Sequence, residues 1–282
     1  RTPPARIATV LLPALLAVHV TGCSRTGTTP PVPHAPQAVR PVPQGVPQSG
    51  ALTQRAVARE ALRCLEALRQ LGLTPGQFPF EMMDEPDRDK EQVSAAAYEV
   101  LKEIAPDWPA MSSISVGTPE RLTSLSRILE IMVVLPGLTP AAEQVLKDSG
   151  REIWTYRCSG SLGTVLPYSY YRMQPWVTWA KGYSGFGFYW DMYDQLSPRD
   201  GVYAHYYFGA DGPVPTRGWQ AFWRGTRDWT YLAVLRERIA AARAAGRDQD
   251  ADAAQQTMTQ SVAGVNAAED DTTVADLWRE RI

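Results

Sequence analysis

From Leu52 onward the apolar positions fall into two alternating rhythms. Leu52, Val57, Leu62, Leu65, Leu68 and Leu71 recur at helical spacing until Gly72 stops the pattern, which predicts an amphipathic helix of about five turns. The next segment, QFPFEMMDEP (77–86), reads as a buried strand that stops at an Asp-Glu-Pro step. DKEQVSAAAYEVLKEIAP (89–106) has helical spacing again, and MSSISVG (111–117) reads as a strand. TPERLTSLSRIL (118–129) opens with Thr118 as a cap and Pro119 at the first helical position, a standard helix start. EIMVVLPG (130–137) is a continuous apolar run, the kind found in strands buried on both faces. TPAAEQVLKDSG (139–150) is a further helix with a Thr-Pro start and a Gly stop, and REIWTYRCSG (151–160) a further strand. YYRMQPWVTWAKGY (170–183) is helical, with Pro175 required early in the helix or at a kink. SGFGFYWDMY (184–193) is the last strand. A long aromatic loop follows, then a helix over 217–246 and a more polar helical tail.

Helix and strand alternate with short connections, which predicts βα units around a parallel sheet. The fold class is α/β. The expected architecture is a partial (β/α) barrel of the TIM type, with about five parallel strands, flanking helices and a C-terminal helical tail. The strands follow one another as in the second part of such a barrel, where catalytic groups sit at the C-terminal strand ends.

Residues 1–50 have a different character. RIATVLLPALLAVHVTGCS begins with charge, continues with an apolar run from Ile7 to Val20, and ends in Thr-Gly-Cys. The run is short for a bilayer span and has the layout of a secretory signal. Its end resembles a bacterial lipobox, which makes Cys23 the expected lipidation site of a secreted or cell-envelope lipoprotein. The stretch 24–50 is rich in Pro, Gln and Val without periodicity, and reads as an extended, disordered linker. The expected division is therefore a signal peptide over 1–23, a tether over 24–50 and one folded domain over 51–282.

Composition narrows the chemistry. Lys and Arg total 28 against 30 Asp and Glu, a net charge of -2, and no basic stripe points to nucleic acid. Three cysteines, Cys23, Cys64 and Cys158, show no short spacing, which argues against a disulfide framework or a zinc site. The three histidines, His19, His34 and His205, offer no paired metal-ligand spacing. No GxSxG elbow accompanies His205, which sets the Ser-His-Asp hydrolases aside. No metal or organic cofactor is expected.

The informative chemistry lies in Asp84 and Glu85. Neighbouring side chains of a regular strand point to opposite faces, so two adjacent carboxylates can converge only if the pleat breaks. Pro86 favours such a break. Trp and Tyr crowd between Trp154 and Tyr231, as in sugar-binding clefts, although such residues also serve as half-buried packing. Trp154, Tyr156, Trp190 and Tyr193 stand at or just past expected strand ends, as sugar-stacking or mouth-closing residues. Asp191 follows Trp190 and could bind a hydroxyl or cap a loop. Arg172, Arg217, Arg224 and Asp228 read as structural charges. Cys158 reads as a small apolar filler, since no His partner is evident.

The segments MMDEP, REIWTYRCSG, YYRMQPWVTWAKGYSGFGFYW, YFGADGPVPTRGWQAFWRGTRDWTYL and DLWRERI, taken in order, resemble the catalytic domain of glycoside hydrolase family 123, also filed as domain of unknown function 4091. The likeness runs from about Leu52 to Ile282, without the family's N-terminal β-sandwich and first barrel strands. The resemblance implies an exo-acting β-N-acetylgalactosaminidase that retains stereochemistry by substrate-assisted catalysis, with the sugar's 2-acetamido oxygen as nucleophile. Carried over, Glu85 is general acid and then base, and Asp84 holds the acetamido N–H and stabilises developing positive charge. The implied partner is a glycan or glycoconjugate ending in N-acetylhexosamine. A non-enzymatic reading also fits the aromatic cleft: a surface-tethered relative that binds glycans or acts as a scaffold without a working Glu85.

Overall fold

The computed structural model describes residues 50–75, 77–81, 84–86, 88–158, 165–188, 206–268, 271 and 273–282. The N-terminal apolar run, Cys23 and nearly all of the expected tether lie outside these residues, as do Trp190, Asp191 and Tyr193. Among the described residues, no helix is long and apolar enough to cross a membrane.

Helix α1 (Gly50–Gln70) leads into strand β1 (Phe80–Glu81), followed by α2 (Arg88–Ile104), β2 (Ala110–Ile114), α3 (Pro119–Leu125), β3 (Ile131–Val134), α4 (Pro140–Asp148) and β4 (Glu152–Arg157). A π-helical turn (Tyr168–Arg172) runs into α5 (Gln174–Ala180), and β5 (Gly185–Phe188) completes the sheet. The five strands are all parallel, in the order β1-β2-β3-β4-β5. With their flanking helices they form the half-barrel that the alternating pattern predicts.

The strand pleat divides two cores. On the outer face Ala110, Ile114, Met132, Val134 and Ile153 pack against Leu65, Leu101, Leu122 and Leu146 of the helices. On the inner face Ile131, Val133 and Tyr156 form a smaller cluster with Met111, Leu135, Trp154 and Cys158. Strand β3 contributes to both, which is why its four residues are all apolar and buried. Helices α3 and α4 start as expected. The Thr118 and Thr139 hydroxyls accept from the N–H groups of Arg121 and Ala142, with proline following each cap. Pro175 is the second residue of α5, where its missing N–H is harmless. The turn before it has wider, π-helical bonding rather than the α-helix expected from Tyr170.

Three expectations need correction. Among the described residues, the strand expected over 77–86 covers Phe80–Glu81. The aromatic loop contains an antiparallel hairpin, β6 (Tyr206–Gly209) with β7 (Gly212–Pro215), closed by Ala210-Asp211 between two glycines. Its sequence signal was the Gly-Ala-Asp-Gly punctuation. The polar tail after helix α6 (Arg217–Ala244) consists of two helices, α7 (Asp248–Ala267) and α8 (Thr273–Arg279).

These C-terminal helices build a further core on α5, with Trp176, Leu232, Ile239, Met258 and Val265 buried together. Beside it lies a charge network. Arg172, 1% exposed, donates from Nε to Asp228 at 2.9 Å and bidentately to Asp276 at 2.7 and 3.0 Å. Trp176 Nε1 also donates to Asp228, at 3.2 Å, and Arg279 donates to both carboxylates. Burial works against the Arg172 charge, but its bonds to Asp276 and Asp228 more than offset it. The hydrogen bond from Arg172 is the main cause that holds the Asp276 carboxyl below its ordinary range. Asp228 is thus a structural charge, as the sequence indicated. It ties α6 to the π-helical turn, whose backbone comes so close that a Cβ at Gly225 would stand 2.9 Å from the Arg172 carbonyl oxygen.

Asp228→Ala leaves a buried guanidinium without one of its two counter-charges. We expect a loss of about 3–5 kcal/mol in urea-unfolding free energy, whereas truncating the exposed Asp252 should change it by less than about 1 kcal/mol.

Candidate active site

The site begins at β1. Phe80 N–H donates to Pro109 C=O at 2.9 Å, and Glu81 stands in register with Met111. The period of a parallel ladder makes Met111 C=O and Ser113 N–H the next groups of β2 that face β1. Both are satisfied by side chains. Tyr98 Oη–H donates to Met111 C=O. Ser113 N–H donates to Glu81 Oε1 at 2.8 Å, and Ser113 Oγ–H donates to the same oxygen at 2.7 Å.

The chain turns sharply at the Asp-Glu step. Glu85 adopts φ 44°, a left-handed conformation that costs a non-glycine residue of order 1–3 kcal/mol. Pro86 beside it is buried, Asp84 is exposed and Glu85 is half-buried. The Asp-Glu step therefore does break the pleat. Glu85 Oε1 accepts a hydrogen bond from Tyr156 Oη. Tyr156 lies on the inner face of β4, so this contact spans the half-barrel mouth from the loop after β1 to β4, above β2 and β3.

Electrostatics follow from this crowding. Glu81 is exposed, yet partial desolvation by its neighbours is the main cause that raises its carboxyl; the bonds from Ser113 lower it, and the charges of Asp84 and Glu85 raise it further. Burial also pushes the Tyr156 phenol far above its ordinary value, reinforced by the hydrogen bond and charge of Glu85. Tyr156 is therefore a neutral donor across the physiological range. The Cys158 thiol is raised by burial and by the charges of Glu85 and Asp84, which keeps it protonated and unreactive at neutral pH. Among the described residues, no group of three or more His, Cys, Asp or Glu is placed to hold a metal ion.

The structure thus brings Asp84, Glu85 and Tyr156 to one edge of the sheet. Trp154 shares the inner face but sits two residues earlier on β4, about 7 Å down the strand by the rise of a β-strand. Its indole N–H donates to Glu152 at 2.9 Å. Its ring lies against Gly185, where a Cβ would stand 2.5 Å from Cγ. Glu81, Tyr98 and Ser113 were not singled out in the sequence. The only available signal for Glu81 was a carboxylate at an inward position of an otherwise apolar strand.

Ionisation of Tyr156 tests this geometry. In a 295 nm difference titration against Tyr156→Phe, wild type should show no Tyr156 phenolate near pH 10, the ordinary value. Removing the neighbouring negative charge by Glu85→Gln should move ionisation to lower pH. Burial, the larger cause, should still keep it above 10.

No family model matches the chain, and no curated protein does. Among solved structures, the fold is similar to that of a family 123 glycoside hydrolase from Clostridium perfringens, described in a study of glycolipid glycan hydrolysis. The TM-score is 0.50 at 12% sequence identity, over 87% of this chain and 48% of that one. The chain thus spans about half the length of this structural neighbour, and what the two share is the fold.

Proposed function

We propose that the protein is a glycoside hydrolase, an exo-acting β-N-acetylgalactosaminidase that works by substrate-assisted catalysis with retention. The observation that carries this reading is the Asp84-Glu85 step itself. It is held in a strained turn at the C-terminal edge of a half-barrel, with Glu85 hydrogen-bonded to a neutral Tyr156. The fold likeness to a glycoside hydrolase supports it.

In this mechanism the carbonyl oxygen of the sugar's 2-acetamido group attacks the anomeric carbon. The glycosidic C–O bond breaks, and Glu85 gives its proton to the leaving oxygen. Asp84 accepts the acetamido N–H and stabilises the positive charge on the oxazoline. Glu85, now a carboxylate, takes a proton from water, which attacks the anomeric carbon and reopens the ring. Such enzymes need no protein nucleophile and stand outside the two-carboxylate scheme. Tyr156 Oη–H holds Glu85 in place and stabilises its carboxylate form between the two half-reactions. The substrate is a glycan or glycoconjugate with a terminal N-acetylhexosamine. Trp190, Asp191 and Tyr193 are proposed, from sequence, to complete the sugar pocket.

The proposal includes a cell-envelope location, with the domain tethered through lipidated Cys23. It is carried by the apolar run Ile7–Val20 and the Thr-Gly-Cys that follows. Labelled palmitate should enter the protein in a bacterial host and be lost in Cys23→Ala.

Catalysis is tested with p-nitrophenyl β-N-acetylgalactosaminide and the matching β-galactoside, which lacks the acetamido group. Release is expected from the first only, with Glu85→Gln lowering kcat by about 10²–10⁴-fold. Equal cleavage of both would exclude acetamido participation. Sugar binding without turnover, unchanged by Glu85→Gln, would replace the enzyme with a glycan-binding relative.

A further inference from the structure

We propose that Arg157, the last residue of β4, is an anion-binding residue that takes a carboxylate or sulfate group of the protein's ligand at the C-terminal edge of the sheet.

The strand and the turn beside it place the side chain. Arg157 closes β4 opposite Phe188 of β5. The pleat turns it away from Tyr156, to the face where the π-helical turn lies. There its guanidinium stands over the Tyr170 ring, 5.2 Å from the centroid. That ring meets Tyr171 edge-on at 4.8 Å and Phe188 at 5.8 Å, and the three are buried together. Two residues along the turn, Arg172 is bonded to Asp228 and Asp276. Arg157 is therefore held on a fixed aromatic support, on a turn of the kind that frequently occurs at functional sites.

Its donors distinguish it from the other arginines that are buried or half-buried. Arg121 donates to Glu91 at 2.7 Å, Arg151 to Ser126 C=O at 2.7 Å, Arg172 to Asp228 at 2.9 Å and Arg279 to Asp228 at 3.2 Å. Such partners replace the water that burial removes, and doing without them is costly. Half-buried Arg157 has no hydrogen-bond or ion-pair partner among the described residues. Burial lowers its pKa, and the influence that raises it is Tyr170 rather than a carboxylate. An aromatic ring engages the face of a guanidinium and leaves the in-plane N–H groups to other acceptors. Those groups form a rigid fork that matches paired oxygens, in a carboxylate or in a tetrahedral oxyanion such as sulfate. Partial exposure leaves the fork open to a ligand from solvent.

The test follows the Arg157 Nε–Hε resonance in 15N-labelled protein, assigned by its loss in Arg157→Lys. Acetate and sulfate are titrated separately, with sodium chloride holding ionic strength constant. At least one of them should move the resonance saturably, together with the backbone amides of Tyr170 and Phe188. Saturation with acetate alone identifies a carboxylate ligand, with sulfate alone a sulfated one, and with both a site for either oxyanion. In Arg157→Gln the amide shifts should weaken about ten- to a hundredfold in apparent affinity, the range expected when charge-assisted bonds are lost. A guanidinium that only packs on Tyr170 would leave its resonance unmoved by both anions, and that result overturns the proposal. Amide shifts that persist unchanged in Arg157→Gln overturn it as well. Should Arg157→Gln fail to fold, the wild-type Nε–Hε titration decides alone. The readout involves no turnover, so its outcome is separate from that of the hydrolase reading.

Discussion

Every strand of the sheet runs in the same direction, and most of this structure follows from that constraint. Parallel strands need a crossover between each pair, so helices cover the outer face and every C-terminal strand end opens on one edge. Parallel sheets are also covered on both faces. That requirement makes Ile131–Val134 wholly apolar, and it fills the inner face with Met111, Trp154 and Tyr156. The top edge of the inner face is polar. Asp84, Glu85 and the Tyr156 hydroxyl meet there.

The same constraint explains why the carboxylates can converge. A strand that stays paired sends adjacent side chains to opposite faces, and a pair such as Asp84-Glu85 would be split by it. The groups of β2 that face β1 are instead met by side chains, with Ser113 N–H donating to Glu81 and Tyr98 Oη–H donating to Met111 C=O. The backbone adopts a left-handed turn at Glu85. Strain of this kind persists only where the surroundings over-determine the geometry. Buried Pro86 and the bond from Tyr156 supply that here.

The C-terminal helices are organised by a second device. Buried Arg172 and Asp228, with the partly exposed Asp276 and Arg279, form a charge network beside an apolar core of their own. It anchors α6 and α8 to the turn that precedes α5, and so to the βα unit carrying β5 at the edge of the half-barrel. The aromatic residues of this region divide by role. Trp176 is part of this packing, and its indole N–H serves Asp228. Tyr156 alone among the singled-out aromatics of the described residues reaches the carboxylate pair.

The sequence by itself determined the order and type of the sheet elements, because helical and strand periodicities, Thr-Pro starts and Gly stops are local signals. The continuous apolar run of β3 and the early position of Pro175 were legible for the same reason. Asp84-Glu85 stood out because Pro86 marks a break in a strand pattern. Tertiary structure decided the rest. Glu81 meets Ser113, 32 residues away, and no local rule contains that contact. The role of Tyr156 depends on β4 standing three strands from β1 in a curved sheet. Trp154 and Tyr156 look alike in sequence, yet two residues of strand rise separate a packing residue over Gly185 from one that touches Glu85. Periodicity assigns a side chain to a face, but only the folded sheet fixes its height on that face and what stands opposite.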